Sequence, residues 1–247
     1  MSTIEEAIVK LDSRLSGVPF EFAFLGGSVL TLFVTDKSAD AIRVTKDVDI
    51  VMNIRTRKEY HMADSELELR GFRHDTREGA PICRWILDDV TVDVLPIRED
   101  VLGWKSRWFE ESLAAAETVQ VGTSLVRIVT PPYFVALKLE AFEERGNKDF
   151  LTSTDFEDVI CLANGRESLV NEIRDCENLR GWIARKFRDY LTCPELADAV
   201  DGFVQTESDT EGRKKRIMEA FKALAFRNKQ QEYGILFGND ERRTGVS

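Results

Sequence analysis

The sequence contains little of the material from which zinc sites are built. Its 247 residues include only two histidines, His61 and His74, and four cysteines, none of which forms a Cys-x-x-Cys pair. Zinc ligands usually come in close pairs of these residue types, so the sequence argues against a zinc site. We expect the four thiols to be reduced, as in an intracellular protein.

Long apolar runs are missing too. No stretch reaches the roughly 18 apolar residues that mark a membrane-spanning helix. The N-terminal segment MSTIEEAIVKLDSRL is acidic and lacks the unbroken apolar core of a secretory signal. We therefore expect a soluble cytoplasmic protein that has no membrane partner.

An excess of positive charge is also absent, because 34 Lys and Arg residues face 44 Asp and Glu residues and the formal net charge is −10. Nucleic-acid phosphates require local positive potential, so this balance excludes a general nucleic-acid coat protein but allows a local basic patch. Two well-known phosphate-binding patterns, G-x-x-x-x-G-K-[ST] and G-x-G-x-x-G, do not occur.

What remains is the composition of a globular protein, with 43% hydrophobic and 32% charged residues. Strand and helix patterns predict an α+β domain over residues 1–130, with a mixed sheet and flanking helices. They predict a mainly helical domain over residues 131–247. No internal repeat or low-complexity tract is visible.

The first part of the chain contains a glycine turn between two apolar segments. FEFAFL alternates like a strand and ends at Gly26-Gly27, and SVLTLFV predicts a short buried helix that begins at Ser28, a good N-cap residue. VDIVM, at 48–52, is a further strand candidate. Residues 83–97 predict two strands turned at Asp88-Asp89.

Turn and cap signals place the later elements. Residues 118–130 predict a hairpin turned at Gly122, and a threonine-proline signal opens a helix that ends near Gly146. STDFEDVICLANG predicts another helix, with Thr154 and Glu157 at the spacing of a capping box and a glycine as its stop.

Three aspartates carry the chemistry of the first part. Side chains alternate between the faces of a strand, so Asp47 and Asp49 share one face. Asp93, in VTVDVLPI, joins them if its strand lies beside theirs. Clustered carboxylates repel one another, and a divalent cation such as Mg²⁺ or Mn²⁺ relieves the repulsion. Three such ligands suit two metals for in-line displacement at phosphorus, whereas Asp-x-Asp by itself also occurs at a solvated strand edge.

The glycine turn acquires a role from these acids. Glycines let the backbone approach a phosphate closely, and a helix N-terminus presents N–H groups and the positive end of its dipole. Gly26, Gly27 and Ser28 are therefore candidates to bind the distal phosphates of a nucleoside triphosphate (NTP), with the aspartates holding its metal.

Together, LGGS, KDVDIV and VDVLPI resemble the nucleotidyltransferase superfamily typified by DNA polymerase β. The resemblance covers roughly residues 20–97. It implies a nucleotidyltransferase-like fold and the transfer of a nucleoside monophosphate from an NTP, with pyrophosphate leaving. It also implies that Asp47 and Asp49 bind the metal of the NTP and that Asp93 helps to hold a second metal.

The second part, VALKLEAFEERGNKDFLTSTDFEDVICL, resembles the AbiEii/AbiGii-type branch of that superfamily, which includes toxins of toxin–antitoxin pairs. The positions that match the branch pattern are a helical lysine, an Arg-x-x-Lys-Asp motif and a later acid. The resemblance implies a possible antitoxin partner and assigns these positions to Lys138, Arg145, Lys148, Asp149 and either Asp155 or Asp158.

For Lys138 and Asp158, the sequence pattern itself also allows two interpretations each. Lys138 has apolar helical neighbours, so it either contacts a triphosphate or a site carboxylate, or extends its ammonium to solvent. Asp158 either binds the nucleotide or belongs, with Asp155 and the rest of DFEDV, to a solvated acidic first turn that the helix dipole favours.

The acceptor of the nucleotide is open at this stage. EGRKKRIMEAFKALAFRNK, at 211–229, is locally basic and is either a solvated helix face or a binding surface for an RNA acceptor, most specifically a tRNA 3′ end. The acidic surface suits a small cationic acceptor of the aminoglycoside kind. A third alternative is a catalytically silent NTP-binding module.

Overall fold

A computed structural model describes residues 3–36, 38–39, 43, 45, 47–103, 106–204 and 209–226 of the chain. These residues form two compact units. The described residues of 1–34 and 41–141 make up the first unit, and those of 35–40 and 142–247 make up the second. The predicted domain boundary at residue 130 stays a prediction.

The first unit is built on a mixed sheet of seven strands in the order β3-β4-β5-β2-β1-β7-β6. The β2–β5 and β1–β7 pairs are parallel, and the other neighbouring pairs are antiparallel. The strands are β1 (Phe22–Leu25), β2 (Asp47–Met52), β3 (Arg73–His74), β4 (Arg84–Leu87), β5 (Val90–Pro96), β6 (Glu117–Val121) and β7 (Ser124–Ile128).

Helices flank this sheet and account for most of the second unit. The chain passes from the first unit to the second within α6. The helices are α1 (Thr3–Leu15), α2 (Leu30–Phe33), α3 (Arg57–Leu69), α4 (Glu99–Leu102), α5 (Phe109–Ala114), α6 (Pro131–Glu144), α7 (Thr154–Gly165), α8 (Leu169–Asp175), α9 (Glu177–Tyr190), α10 (Glu195–Phe203) and α11 (Thr210–Ala225).

The core of the first unit lies around the central strand β2. Val48, Ile50, Val51 and Met52 are fully buried, because α1 and α5 both contact this strand. Only the positions of the two aspartates break the apolar run, and both are half-buried. Polar side chains inside such a strand are costly unless they have partners, so their surroundings define the site described below.

The second unit has an aromatic core in which α11 packs against α7, α8, α9 and α10. The rings of Phe142, Phe150 and Phe156 lie 4.8–4.9 Å apart, and Phe187 stacks on Phe221 at 4.7 Å. Aromatic side chains bury large areas, so this cluster gives the helical unit a core of its own.

The predicted α+β fold class is confirmed, with a mixed sheet and flanking helices followed by a helical part. The turns at Asp88-Asp89 and Gly122 are also confirmed, with φ values of 53° at Asp88 and 57° at Gly122. No helix in the described part of the chain combines the length and apolarity required to cross a bilayer.

Two helix starts differ from the prediction. A 3₁₀ turn, Gly27–Val29, precedes α2, so Ser28 lies inside the turn and is not its N-cap. At α7 the N-cap is Ser153, whose hydroxyl accepts a hydrogen bond from the Phe156 amide, where the prediction gave Thr154 and Glu157 this role. Adjacent hydroxyl residues make such one-residue errors natural, because each can cap equally well by composition.

Candidate active site

Two of the three aspartates lie side by side. β2 and β5 are parallel, and their register pairs Asp49 with Asp93 and Asp47 with Thr91. Paired residues on neighbouring strands point to the same face, so all three carboxylates share one face of the sheet. Asp93 is 8% exposed. The prediction that Asp93 lies on a strand beside that of Asp47 and Asp49 is confirmed.

The glycine turn lies against one of these carboxylates, that of Asp49. β1 pairs Leu25 with Asp49, and the chain then turns at Gly26 with φ 71° and ψ −166°. A Cβ atom at Gly26 would lie only 1.8 Å from Oδ2 of Asp49. Position 26 therefore favours glycine for two reasons: its φ value is positive, and the Asp49 side chain approaches it closely.

Gly27 and Ser28 continue this turn toward α2. Ser28 is completely buried, and its hydroxyl donates to the carbonyl of Leu25 at 2.9 Å, so the side chain closes its own turn. The first amides of a helical turn have no acceptor within the turn itself. The backbone, more than the Ser28 hydroxyl, is thus what this segment offers to a phosphate, and that role stays a prediction.

A residue that the sequence reasoning missed dominates the cluster. Arg84 Nε donates to Asp93 Oδ1 at 2.8 Å, and Arg84 Nη2 donates to Asp93 Oδ2 at 2.7 Å and to Asp47 Oδ2 at 3.2 Å. The hydrogen bonds to Asp93 raise the pKa of Arg84 above its usual value. Asp47 also accepts a hydrogen bond from the Thr45 hydroxyl at 2.9 Å.

The signal for Arg84 was present in the sequence. A two-residue turn at Asp88-Asp89 makes Leu87 the partner of Val90, and counting outward makes Arg84 the partner of Asp93. An arginine directly opposite an aspartate on an antiparallel pair is a favourable cross-strand ion pair. The predicted hairpin therefore already implied this contact.

The donor set fits a divalent cation only in part. Among the residues that the structure describes, no group of three or more His, Cys, Asp or Glu side chains is arranged to hold a metal ion. Mg²⁺, however, is commonly bound by one or two carboxylates together with substrate phosphates. Asp47 and Asp49 satisfy that smaller requirement in number, although the oxygens of Asp47 accept one hydrogen bond each from Arg84 and Thr45. Asp93 is held more firmly, because Arg84 contacts both of its oxygens.

Lys138 belongs to the same unit as the aspartates. It lies on α6 and is 8% exposed, with its Nζ atom 5.8 Å from the ring centroid of Phe134. The Phe134 ring stabilises the ammonium by a cation–π contact. The predicted contact of Lys138 with a triphosphate stays a prediction.

The remaining predicted positions belong to the second unit. Asp155 is 4% exposed and accepts two hydrogen bonds from Arg145, each 2.9 Å long. Asp158, one turn later on α7, is 2% exposed. The expectation of a solvated acidic turn is therefore wrong for both, and the predicted part of Asp158 in NTP binding stays a prediction.

The Arg-x-x-Lys-Asp motif forms the loop after α6. Asn147 and Lys148 have left-handed φ values of 49° and 59°. Asp149 accepts hydrogen bonds from the amides of Leu151 and Thr152, and from the hydroxyl of Thr152, which lowers the pKa of Asp149. These contacts give Asp149 a role in closing the loop.

The basic run on α11 is largely paired with acids of the same unit. Arg213 is only 4% exposed and is therefore buried within the second unit. Lys214 contacts Asp201 at 3.2 Å, and Arg216 contacts Asp209 at 3.0 Å. Residues 227–229 of the run lie outside the described residues. The described part is therefore less available to RNA phosphates than its composition suggests.

A cavity of about 870 Å³ opens beside the glycine turn. Gly27 lines it, and so do Val48 and Val90. By strand alternation these valines point away from the face that carries the aspartates. The Oγ1 atom of Thr31, in the same wall, is buried without a hydrogen-bond partner among the described residues.

Two solved structures are similar to this chain. One, an antigenic nucleotidyltransferase-like protein from Paracoccidioides brasiliensis, has 17% identity and a TM-score of 0.47, and the match covers 74% of this chain and 91% of that one. The other, the antibiotic-resistance factor ANT(2'')-Ia, has 13% identity and a TM-score of 0.45, with 76% and 98% covered. Neither likeness is close enough to carry an inference about activity. No protein-family model matches the chain, and no curated protein matches it.

Proposed function

We propose that this protein is a metal-dependent nucleotidyltransferase that moves a nucleoside monophosphate from an NTP to an acceptor hydroxyl. The observation that supports the proposal best is the contact between the glycine turn and the acids. Gly26 approaches Asp49 so closely that any side chain at position 26 would force the aspartate to move, and Asp49 is in register with Asp93. A phosphate-binding turn and a metal-binding acid would thus meet at one point of the fold.

In the proposed reaction the oxygen of the acceptor hydroxyl forms a bond to the α-phosphorus of the NTP. The bond from this phosphorus to the oxygen that bridges the α- and β-phosphates breaks, and pyrophosphate leaves. The hydroxyl proton passes to a carboxylate oxygen of the cluster. A bound Mg²⁺ or Mn²⁺ supplies positive charge to the phosphates, and Asp47 and Asp49 are the residues that would hold it.

The chain itself contributes position and charge. The amides of Gly27 and Ser28 would orient the distal phosphates, and Lys138 is the candidate for a further phosphate contact. Catalysis of this kind depends on placing and stabilising charge rather than on covalent chemistry by the protein.

For the acceptor, RNA was the first expectation, with tRNA 3′ ends and a toxin role as its specific form. The ion pairs of Lys214 and Arg216 weaken the support for an RNA surface on α11. The net charge of −10 favours a small cationic acceptor of the aminoglycoside kind. Both acceptors remain candidates, and neither affects the proposed chemistry at phosphorus.

The test is incubation of the purified protein with each α-³²P-labelled NTP, Mg²⁺, and either total RNA or a panel of aminoglycosides. We expect transferred label and released pyrophosphate, both lost in Asp49→Asn. Asp100→Asn is the matched control, because Asp100 is an exposed acid outside the cluster. NTP binding without pyrophosphate release in any combination would favour the silent module instead.

A further inference from the structure

Arg84 contacts both oxygens of the third carboxylate of the cluster. Its two hydrogen bonds to Asp93, at 2.7 and 2.8 Å, form the bidentate pairing that is strongest between a guanidinium and a carboxylate. The side chain of Asp93 is 11% exposed and that of Arg84 is 25% exposed. A pair this sheltered from water is screened little and holds a fixed geometry.

The strand register holds the arginine in this position. Arg84 and Asp93 are directly opposite on the antiparallel pair β4–β5, and Asp93 is in turn beside Asp49 on β2. The guanidinium also donates to Asp47 at 3.2 Å. It therefore lies among the carboxylates, where a second cation would otherwise relieve their repulsion.

We propose that Arg84 is the built-in counter-ion of Asp93, so that the site takes one divalent cation, on Asp47 and Asp49, and not two. This inference rests on the proposed function and specifies its metal content. The resemblance to the polymerase β superfamily implies a second metal at Asp93. In this chain, a metal at Asp93 would have to displace a bidentate arginine. A metal at Asp47 would displace only single hydrogen bonds, from Arg84 at 3.2 Å and from the Thr45 hydroxyl at 2.9 Å. One metal on two carboxylates, completed by phosphates and water, agrees with the usual Mg²⁺ environment.

The test counts Mn²⁺ ions bound per chain, from the loss of the free Mn²⁺ signal in electron paramagnetic resonance. Each measurement uses a non-hydrolysable α,β-methylene analogue of one of the four ribonucleoside triphosphates in turn. After subtraction of the Mn²⁺ held by analogue that is not bound to the protein, we expect one protein-bound Mn²⁺ per chain in the wild type and one in Asp93→Asn. We expect none in Asp49→Asn and two in Arg84→Met.

Two variants protect the test from a folding defect. Arg84→Met leaves a sheltered carboxylate without its arginine, so its circular dichroism spectrum and unfolding midpoint are recorded first. If it does not fold, Asp93→Asn decides, because the amide has nearly the same shape. A count that falls in Asp93→Asn would show that Asp93 is a metal ligand.

The outcomes separate the two proposals. Two Mn²⁺ ions in the folded wild type would overturn the role of Arg84 and leave the nucleotidyltransferase proposal standing. One ion in both the wild type and a folded Arg84→Met would also overturn it, because removing the arginine should open Asp93. No protein-dependent Mn²⁺ in the wild type with any analogue would overturn the proposed function itself.

Discussion

Each unit of the protein contains an arginine that contacts aspartate, but the partners of the two arginines differ in kind. In the second unit, Arg213 contacts one carboxylate, that of Asp36 at 2.9 Å, and two neutral oxygens, of Asn164 at 2.9 Å and Ser38 at 2.6 Å. One cation thus meets one anion, and two neutral oxygens accept further hydrogen bonds from it.

In the first unit, Arg84 contacts two carboxylates, and a third lies in register beside them. One guanidinium thus bridges two carboxylates, and the proposal above places a further cation beside them. The comparison teaches that the contact of an arginine with aspartate does not by itself distinguish a structural tie from a functional site. The composition of its partners does.

The largest expected difference between the two units comes from removing an acid of the aspartate cluster in the first unit. Asp49→Asn should lower nucleotide transfer by about 10²–10³, the range for losing one electrostatic stabiliser of a transition state. The side chain keeps its shape, so the unfolding midpoint should change little. Initial rates of pyrophosphate release measure the effect, with Asp100→Asn as the control that should retain the wild-type rate.

Replacing Arg213, in the second unit, should lower the stability of the protein and leave Mn²⁺ binding unchanged. Arg213→Met should lower the free energy of unfolding by about 2–3 kcal/mol. This is less than the loss of a fully buried pair, because the side chain of Asp36 is 41% exposed. Urea unfolding measures the loss, and Mn²⁺ binding should be unchanged. Lys215→Ala, an exposed change on the same helix, should cost much less. A normal unfolding midpoint in Arg213→Met would contradict the structural role.

The glycine turn connects backbone strain to the acids. Gly26→Ala should destabilise the protein by more than the roughly 1–3 kcal/mol that a residue held at such a backbone conformation costs, because its Cβ also displaces Asp49. Gly17→Ala is the matched control, with φ 74° and open space around the position. Equal losses in the two variants, with unaltered Mn²⁺ binding, would show that the approach to Asp49 is unimportant.

The smallest expected effect concerns acid stability of the second unit. The hydroxyl and amide of Ser38, followed by Arg213, lower the pKa of Asp36 from 3.8 to about 2. A lowered carboxylate pKa contributes stability above pH 3.8 and loses it as the pH falls toward about 2. Ser38→Ala should therefore reduce the loss of stability over this window. Urea midpoints at several pH values test it, with the exposed Ser65→Ala as the control that keeps the wild-type slope.

The sequence was informative where contacts are local or follow strand alternation. Short-range patterns were enough to predict three features: the face shared by Asp47 and Asp49, the strand that carries Asp93, and the turn at Asp88-Asp89. The contact of Arg84 with Asp93 follows from the same hairpin once its pairs are counted outward, so the sequence was sufficient to predict it.

The partners of Arg213 were out of reach of such reasoning. Asp36 is 177 residues away in the chain and Asn164 is 49 residues away. Their contact depends on how separate helices and loops of the second unit pack, which no local pattern specifies. The charged composition of the run Arg213–Arg216 predicts that all four side chains are exposed to solvent. Only tertiary packing shows that Arg213 is buried.

The most direct test of the acid cluster is a crystal structure of the protein with Mn²⁺ and a non-hydrolysable NTP analogue. The anomalous signal of Mn²⁺ locates each bound metal ion. The account predicts one metal peak, bound by Asp47 and Asp49, with the distal phosphates at the amides of Gly27 and Ser28. Arg84 should still hold both oxygens of Asp93. A metal peak coordinated by Asp93, or an analogue bound away from the aspartates, would contradict it.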